Sequence, residues 1–166
     1  RWDILPTNTE VEAVYGTLNA LIGKCNFLLE RIAVLEQEVD DEDYEKLQQF
    51  KGEALFARAL SYSDLIKMYC KAYDPATAAD ELGVVLVSSY SNAGTLKRAS
   101  LKDSYQFVLD DLAQSATCLK PDENENDESY YDTLYFTIYA ANALYARVYL
   151  NMQEWDKAIE YLSLIH

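Results

Sequence analysis

The sequence predicts an all-α fold: antiparallel helix pairs of tetratricopeptide-like type, interrupted by long loops. Three observations carry that prediction. Gly and Pro are scarce, 5 and 3 in 166 residues, so helices meet few breakers. Apolar residues recur in steps of three and four along several stretches. A pentad of small and bulky residues, "ALFAR" at 54–58, returns as "ALYAR" at 143–147. The length suits one helical domain, 1–166, with a sizeable core.

The first helix is read over 11–36, from Val11, Tyr15, Leu18, Ile22, Cys25, Leu29, Ile32 and Leu35, with Asn8 or Thr9 as its cap. "DDEDYE", Asp40 to Glu45, places acids at the positive end of a second helix that continues through Tyr73. Gly52 inside that helix costs roughly 1 kcal/mol against Ala, which points to close packing on another helix there. Residues 73–99 carry Pro75, Gly83, Asn92 and Gly94 and read as a loop excursion with one short extended piece at "GVVLV". Ser100 starts a third helix with Asp103 three residues on, and Pro121 stops it. The acidic stretch 121–132 is a second, solvated excursion. Two helices follow, about Thr133 to Met152 and Glu154 to Leu164, joined so tightly that they must fold back on each other.

The final pair explains the pentad. Ala146 lets two helices cross closely and Tyr149 fills the space one turn on. Trp155 opens the last helix, Ala158 lets it approach, and Leu162 closes the seam; Ala57 is the counterpart of Ala146 in the earlier copy. Such pairs need neighbours to bury both faces. The copies lie 89 residues apart, no multiple of the usual period of about 34, so the stacking is interrupted. Arg58 and Arg147 share equivalent positions and are expected to bridge helices. Tyr139, Tyr145 and Tyr149 are expected in the core.

Composition narrows the function. A net charge of −14 argues against nucleic acid and against sulfated polymers. The single His is terminal, no phosphate loop or dinucleotide fingerprint occurs, and no carboxylate pair stands out, so no catalytic residue, metal or cofactor is expected. Cys25, Cys70 and Cys118 are too few and too far apart for a disulfide framework; free thiols, or one bridge and a leftover thiol, remain. The surplus is 14 Tyr, whose rings suit sugar stacking and helical cores alike. Trp2, ahead of the first helix, is either a ligand platform or an edge-packing residue.

In order, "LLERI", "KGEALFARALSYSDLIKMY", "LGVVLV", "KRASLKDSYQFVLDDLAQSATCL" and "ANALYARVYLNMQEWDKAIEYLSLI" resemble the N-terminal, repeat-containing part of the SusD/RagB family. Val85, Cys70 and Gln153 depart from it, standing where the family usually has Pro, Gly and often Gly. The resemblance implies a non-enzymatic protein that captures nutrient, mostly oligosaccharide or polysaccharide, and hands it to a TonB-dependent, SusC-like transporter. It implies a location at the cell outer membrane, held only by a lipid anchor upstream of this chain, and a longer protein of which this is the N-terminal fragment. The repeat helices would then be scaffold and transporter-facing surface. Trp2 and Asn8, before the first helix, and Tyr90 and Asn92, in the excursion, are the ligand-binding candidates. The alternative is a tetratricopeptide-type adaptor that clamps peptides, which the acidic balance disfavours. The chain alone is expected to bind sugar weakly or not at all.

Overall fold

The structure, a computed structural model, describes residues 8–90, 96–119 and 136–165, apart from the side chain of Glu42. Its elements are α1 (Thr9–Leu35), α2 (Asp41–Tyr69), β1 (Leu82–Val85), β2 (Arg98–Ser100), α3 (Leu101–Cys118), α4 (Ile138–Asn151) and α5 (Trp155–Ser163). The fold is all-α, with a single two-stranded ribbon among the described residues.

Capping sets where the helices start. The Asn8 side-chain carbonyl accepts from the N–H groups of Glu10 and Val11 at 2.9 and 3.2 Å. Asp40 accepts from the N–H of Asp43, and Ser100 from that of Asp103. Each satisfies a donor the helix itself leaves unpaired. On α1, Ile22, Cys25 and Ile32 are buried as the stripe predicts, but Tyr15 and Leu35 are exposed. Tyr15 meets Tyr69 edge-on at 5.1 Å, and the Tyr69 hydroxyl donates to the Val11 carbonyl.

α2 lies between α1 and α3, and α4 stacks on α3. Tyr62, Leu65 and Ile66 of α2 meet Leu101, Val108 and Leu112 of α3 and Val148 of α4 in one continuous core. Gly52 marks the close crossing of α2 and α3. A Cβ there would come within 2.8 Å of Leu119 Cδ2 and 3.0 Å of Cys118 Cβ. The Ser115 hydroxyl donates to the Gly52 carbonyl across the same gap. All three cysteines are free thiols, Cys25 buried and the others half-buried.

Between α2 and α3, β1 and β2 pair antiparallel, Leu82 opposite Ser100 and Val85 opposite Arg98, with an irregularity between. The extended piece at "GVVLV" is therefore four residues long, and its partner β2 has no counterpart in the sequence reading. Gly83 sits so close to α3 that a Cβ would collide with the Ser104 hydroxyl and the Ser100 carbonyl. The stretch 121–132 lies outside the described residues.

α4 begins at Ile138, later than the expected start near Thr133, because Thr137 is extended (φ −104°, ψ 169°). The α4–α5 turn closes with two bonds: Glu154 N–H to the Tyr149 carbonyl and Gln153 N–H to the Leu150 carbonyl. This is a Schellman closure with Gln153 left-handed at φ 63°.

The last seam differs from its prediction in two residues. Ala146 and Ala158 are buried at the crossing and Tyr149 is half-buried, but Trp155 is 56% and Leu162 52% exposed. The physical reason is helix phase. α5 packs only on α4 among the described elements, through Ala158 and Tyr161. Trp155, Ile159 and Leu162 repeat at four and three residues and form a separate stripe on its open side. Tyr161, not Leu162, closes the seam, stacked on Tyr145 at 4.3 Å and on Tyr149 at 5.5 Å. Burial pushes the Tyr145 phenol well up, and its hydroxyl donates to the Leu109 carbonyl.

Candidate functional site

The site is built from a buried polar knot outward. Arg58 of α2 forks onto Asp111 of α3, Nε to Oδ2 at 2.8 Å and Nη2 to Oδ1 at 2.6 Å. Its Nη1 donates to Asn26 Oδ1 of α1 at 2.6 Å. Asn26 then donates to the Val87 carbonyl, and the Val87 N–H donates to the Tyr62 hydroxyl. Arg58, Asp111 and Asn26 are all buried, so the knot stands in a low-dielectric interior where each bond counts for more. Burial pushes the Asp111 carboxyl up, and the Arg58 fork opposes that push. The Phe107 ring lies 5.3 Å from the guanidinium and meets Tyr62 edge-on.

The knot pins the segment after β1 against α1. Three residues past Val87, Glu30 of α1 accepts from the Ser89 hydroxyl and the Tyr90 N–H, both at 2.7 Å. Tyr90 is thereby set beside Phe27, ring centroids 5.2 Å apart and 70° between planes. Arg31 reaches over Phe27 at 5.3 Å. Tyr90 is 62% and Phe27 44% exposed. Two open rings at an angle with a guanidinium beside them make a corner that offers both an apolar face and hydrogen-bond donors.

The four ligand candidates do not converge there. Tyr90 is in the corner. Asn8 spends its side-chain carbonyl on the α1 cap. Trp2 and Asn92 lie outside the described residues. Phe27 and Arg31 lie off the apolar stripe of α1, so the helical period did not mark them. An aromatic off that stripe, Phe27, was the available signal. Among the repeat positions, Ala57 is half-buried whereas Ala146 is buried, so the two pentads do not occupy equal environments. Arg58 and Arg147 both bridge helices, Arg147 reaching Asp64 at 3.1 Å and Ser63 at 3.4 Å. Among the described residues no group of three His, Cys, Asp or Glu side chains is placed to hold a metal ion.

Comparison with known proteins covers this architecture. The family profile described as SusD-like, starch-binding associating with outer membrane, matches residues 2–150. A SusD superfamily protein from Bacteroides thetaiotaomicron is 28% identical with a TM-score of 0.76, over 91% of this chain and 31% of that one. A putative sugar binding protein from Bacteroides vulgatus is 25% identical, TM-score 0.76, over 92% and 32%. A SusD-like carbohydrate binding protein from Bacteroides fragilis, 19% identical with a TM-score of 0.75 over 98% and 28%, shares the fold. No curated protein matches the chain. The chain spans about a third of the length of the first two solved relatives.

Proposed function

This chain belongs to the SusD-like family, and from that premise we propose that it is the N-terminal part of a protein that captures glycan at the bacterial outer-membrane surface without converting it. The captured glycan passes to a TonB-dependent transporter of SusC type, and the full-length protein is held at the surface by an upstream lipid anchor. The helices of this part serve chiefly as scaffold and as the surface facing the transporter. The family's description as starch-binding and outer-membrane-associated supports the ligand class and the location. So does the relative described as a putative sugar binding protein.

The observation that carries the reading is the Tyr90–Phe27 corner. The C–H face of a sugar ring stacks on an open aromatic face, and its hydroxyls take donors such as the Arg31 guanidinium. A corner held from beneath by the Arg58–Asp111–Asn26 knot needs little ordering on binding, which limits the entropy lost. Trp2 and Asn92, close in sequence to α1 and to Tyr90, are proposed contacts of the same ligand. Asn8 contributes at most its amide N–H groups. A peptide-clamping adaptor fits less well, since both arginines at the repeat positions are tied to carboxylates.

Calorimetry of the full-length protein against a glycan panel tests this, with Tyr90→Ala and Trp2→Ala beside the parent. Removing the Tyr90 ring is expected to weaken the best ligand about tenfold, equivalent to roughly 1.4 kcal/mol. Unchanged affinity in Tyr90→Ala removes the corner from the site, and turnover of any glycan overturns capture without conversion.

A further inference from the structure

Past β1 the chain leaves the ribbon, whose last pair sets Val85 opposite Arg98. Two residues on, Val87 is half-buried, and its backbone N–H and C=O need partners that no strand supplies. Side chains supply them. The Tyr62 hydroxyl of α2 accepts from the Val87 N–H at 2.8 Å and donates to the Val87 carbonyl at 3.2 Å. The Asn26 amide of α1 donates to the same carbonyl at 2.8 Å. The Tyr62 side chain is fully buried, and its ring meets Phe107 edge-on at 5.1 Å. A Phe would fill that space without carrying a polar group into the core. Among the described residues Val87 is the one hydrogen-bond partner of the hydroxyl. Burial pushes the Tyr62 phenol up, so it keeps the proton it donates.

We infer that Tyr62 is a positioning residue for the glycan corner: its hydroxyl stands in for a partner strand at Val87 and so sets the Tyr90 ring on Phe27 from inside the core. The inference rests on the reading of the Tyr90–Phe27 corner as a glycan contact. Three residues carry the chain from Val87 to Tyr90, a span of about 10 Å at most. At the far end the Tyr90 N–H is taken by Glu30 in an exposed bond of 2.7 Å. Fixed at both ends, so short a stretch has few ways to present its ring, and the ring meets Phe27 at 5.2 Å. The inner anchor is the one shielded from water, where a hydrogen bond is electrostatically stronger. Asn26 shares the task, but it is also tied to Arg58, so its removal would disturb the buried knot as well. Tyr62→Phe removes the hydroxyl alone.

A double-mutant cycle in the full-length protein tests this, read by calorimetry with the tightest binder among malto-, laminari- and xylo-oligosaccharides. Tyr62→Phe is expected to weaken binding roughly fivefold, the worth of about one hydrogen bond. Because it acts through Tyr90, Tyr62→Phe with Tyr90→Ala is expected to bind no more weakly than Tyr90→Ala alone. Val148→Ala lies in the same core but on α4, which does not touch β1; it is expected to lower stability and leave affinity unchanged. Without ligand, amide exchange across residues 87–90 is expected to quicken at least about fivefold in Tyr62→Phe. Losses from Tyr62→Phe and Tyr90→Ala that multiply, an equal loss of affinity in Val148→Ala, or unchanged exchange in Tyr62→Phe overturns the inference. If Tyr90→Ala is weakened and Tyr62→Phe is not, the corner stands and the inference alone falls. If Tyr90→Ala binds as the parent does, or no oligosaccharide binds, the corner is not the glycan contact and both fall.

Discussion

Gln153 holds a left-handed backbone, φ 63°, where side chains other than Gly, Asn or Asp are strained by roughly 1–2 kcal/mol. It is kept because its side-chain amide donates to the Tyr73 carbonyl at 2.6 Å, tying the α4–α5 turn to the loop after α2. Gln153→Val loses that bond and adds a branched Cβ to the strained backbone. It is expected to lower the unfolding free energy by about 2 kcal/mol in denaturant titration. A change below experimental scatter would show that the turn is not constrained as described. Gly52 acts in the opposite sense: its backbone is ordinary, and the want of a side chain is set by Leu119 and Cys118 pressing on it. Residue type alone told of Gly52 and of the Asn8 cap, because each follows from a local geometric need. The left-handed Gln153 was legible only as a departure from the family's usual Gly.

Three helices and one loop meet at the Arg58–Asp111 pair, so its removal is felt across elements. Asp111→Ala leaves a buried guanidinium without its carboxylate, and the expected loss is about 3–5 kcal/mol of unfolding free energy. The double substitution Arg58→Met with Asp111→Leu is expected to recover most of that loss, since two apolar side chains need no partner there. Equal destabilisation by the single and double variants would mean that packing, not charge, governs the site. A second, more open tie joins the end of α1 to α2, where Lys51 donates to Glu36 at 2.7 Å and holds the Glu36 carboxyl below its ordinary range. The helices themselves could be read from spacing because the period of buried residues is a local property. The Arg58 knot could not, since Asp111 stands 53 residues away and Asn26 32 away. β2 is three residues without alternation, too short for a strand signal. Trp155 and Leu162 were misplaced for a different reason: the repeat pattern marks them as packing residues, whereas with Ile159 they form an exposed stripe turned away from α4.

On the scale of the whole molecule, two apolar faces stand open at opposite ends of the order of elements, one on α1 and one on α5, while the interior between them is closely packed. A stack with both ends open is a middle piece in energetic terms, whatever lies beyond it, because each repeat buries one face on each neighbour. On the proposed reading recognition falls to what the stack displays, which among the described residues is the Tyr90–Phe27 corner. A single corner of two rings is a small platform beside the pockets of several hundred Å³ that hold ligands firmly. On the proposed reading the helical pile is the support, and most of the glycan grip is expected outside these 166 residues. The direct measurement is calorimetric titration of one glycan, the best ligand of the full-length protein, into residues 1–166 and into the full-length protein side by side. The account predicts clear binding by the longer protein and at least a hundredfold weaker binding, about 2.7 kcal/mol or more, by the 166 residues alone. Equal affinity in the two would place the whole site on these helices and contradict it.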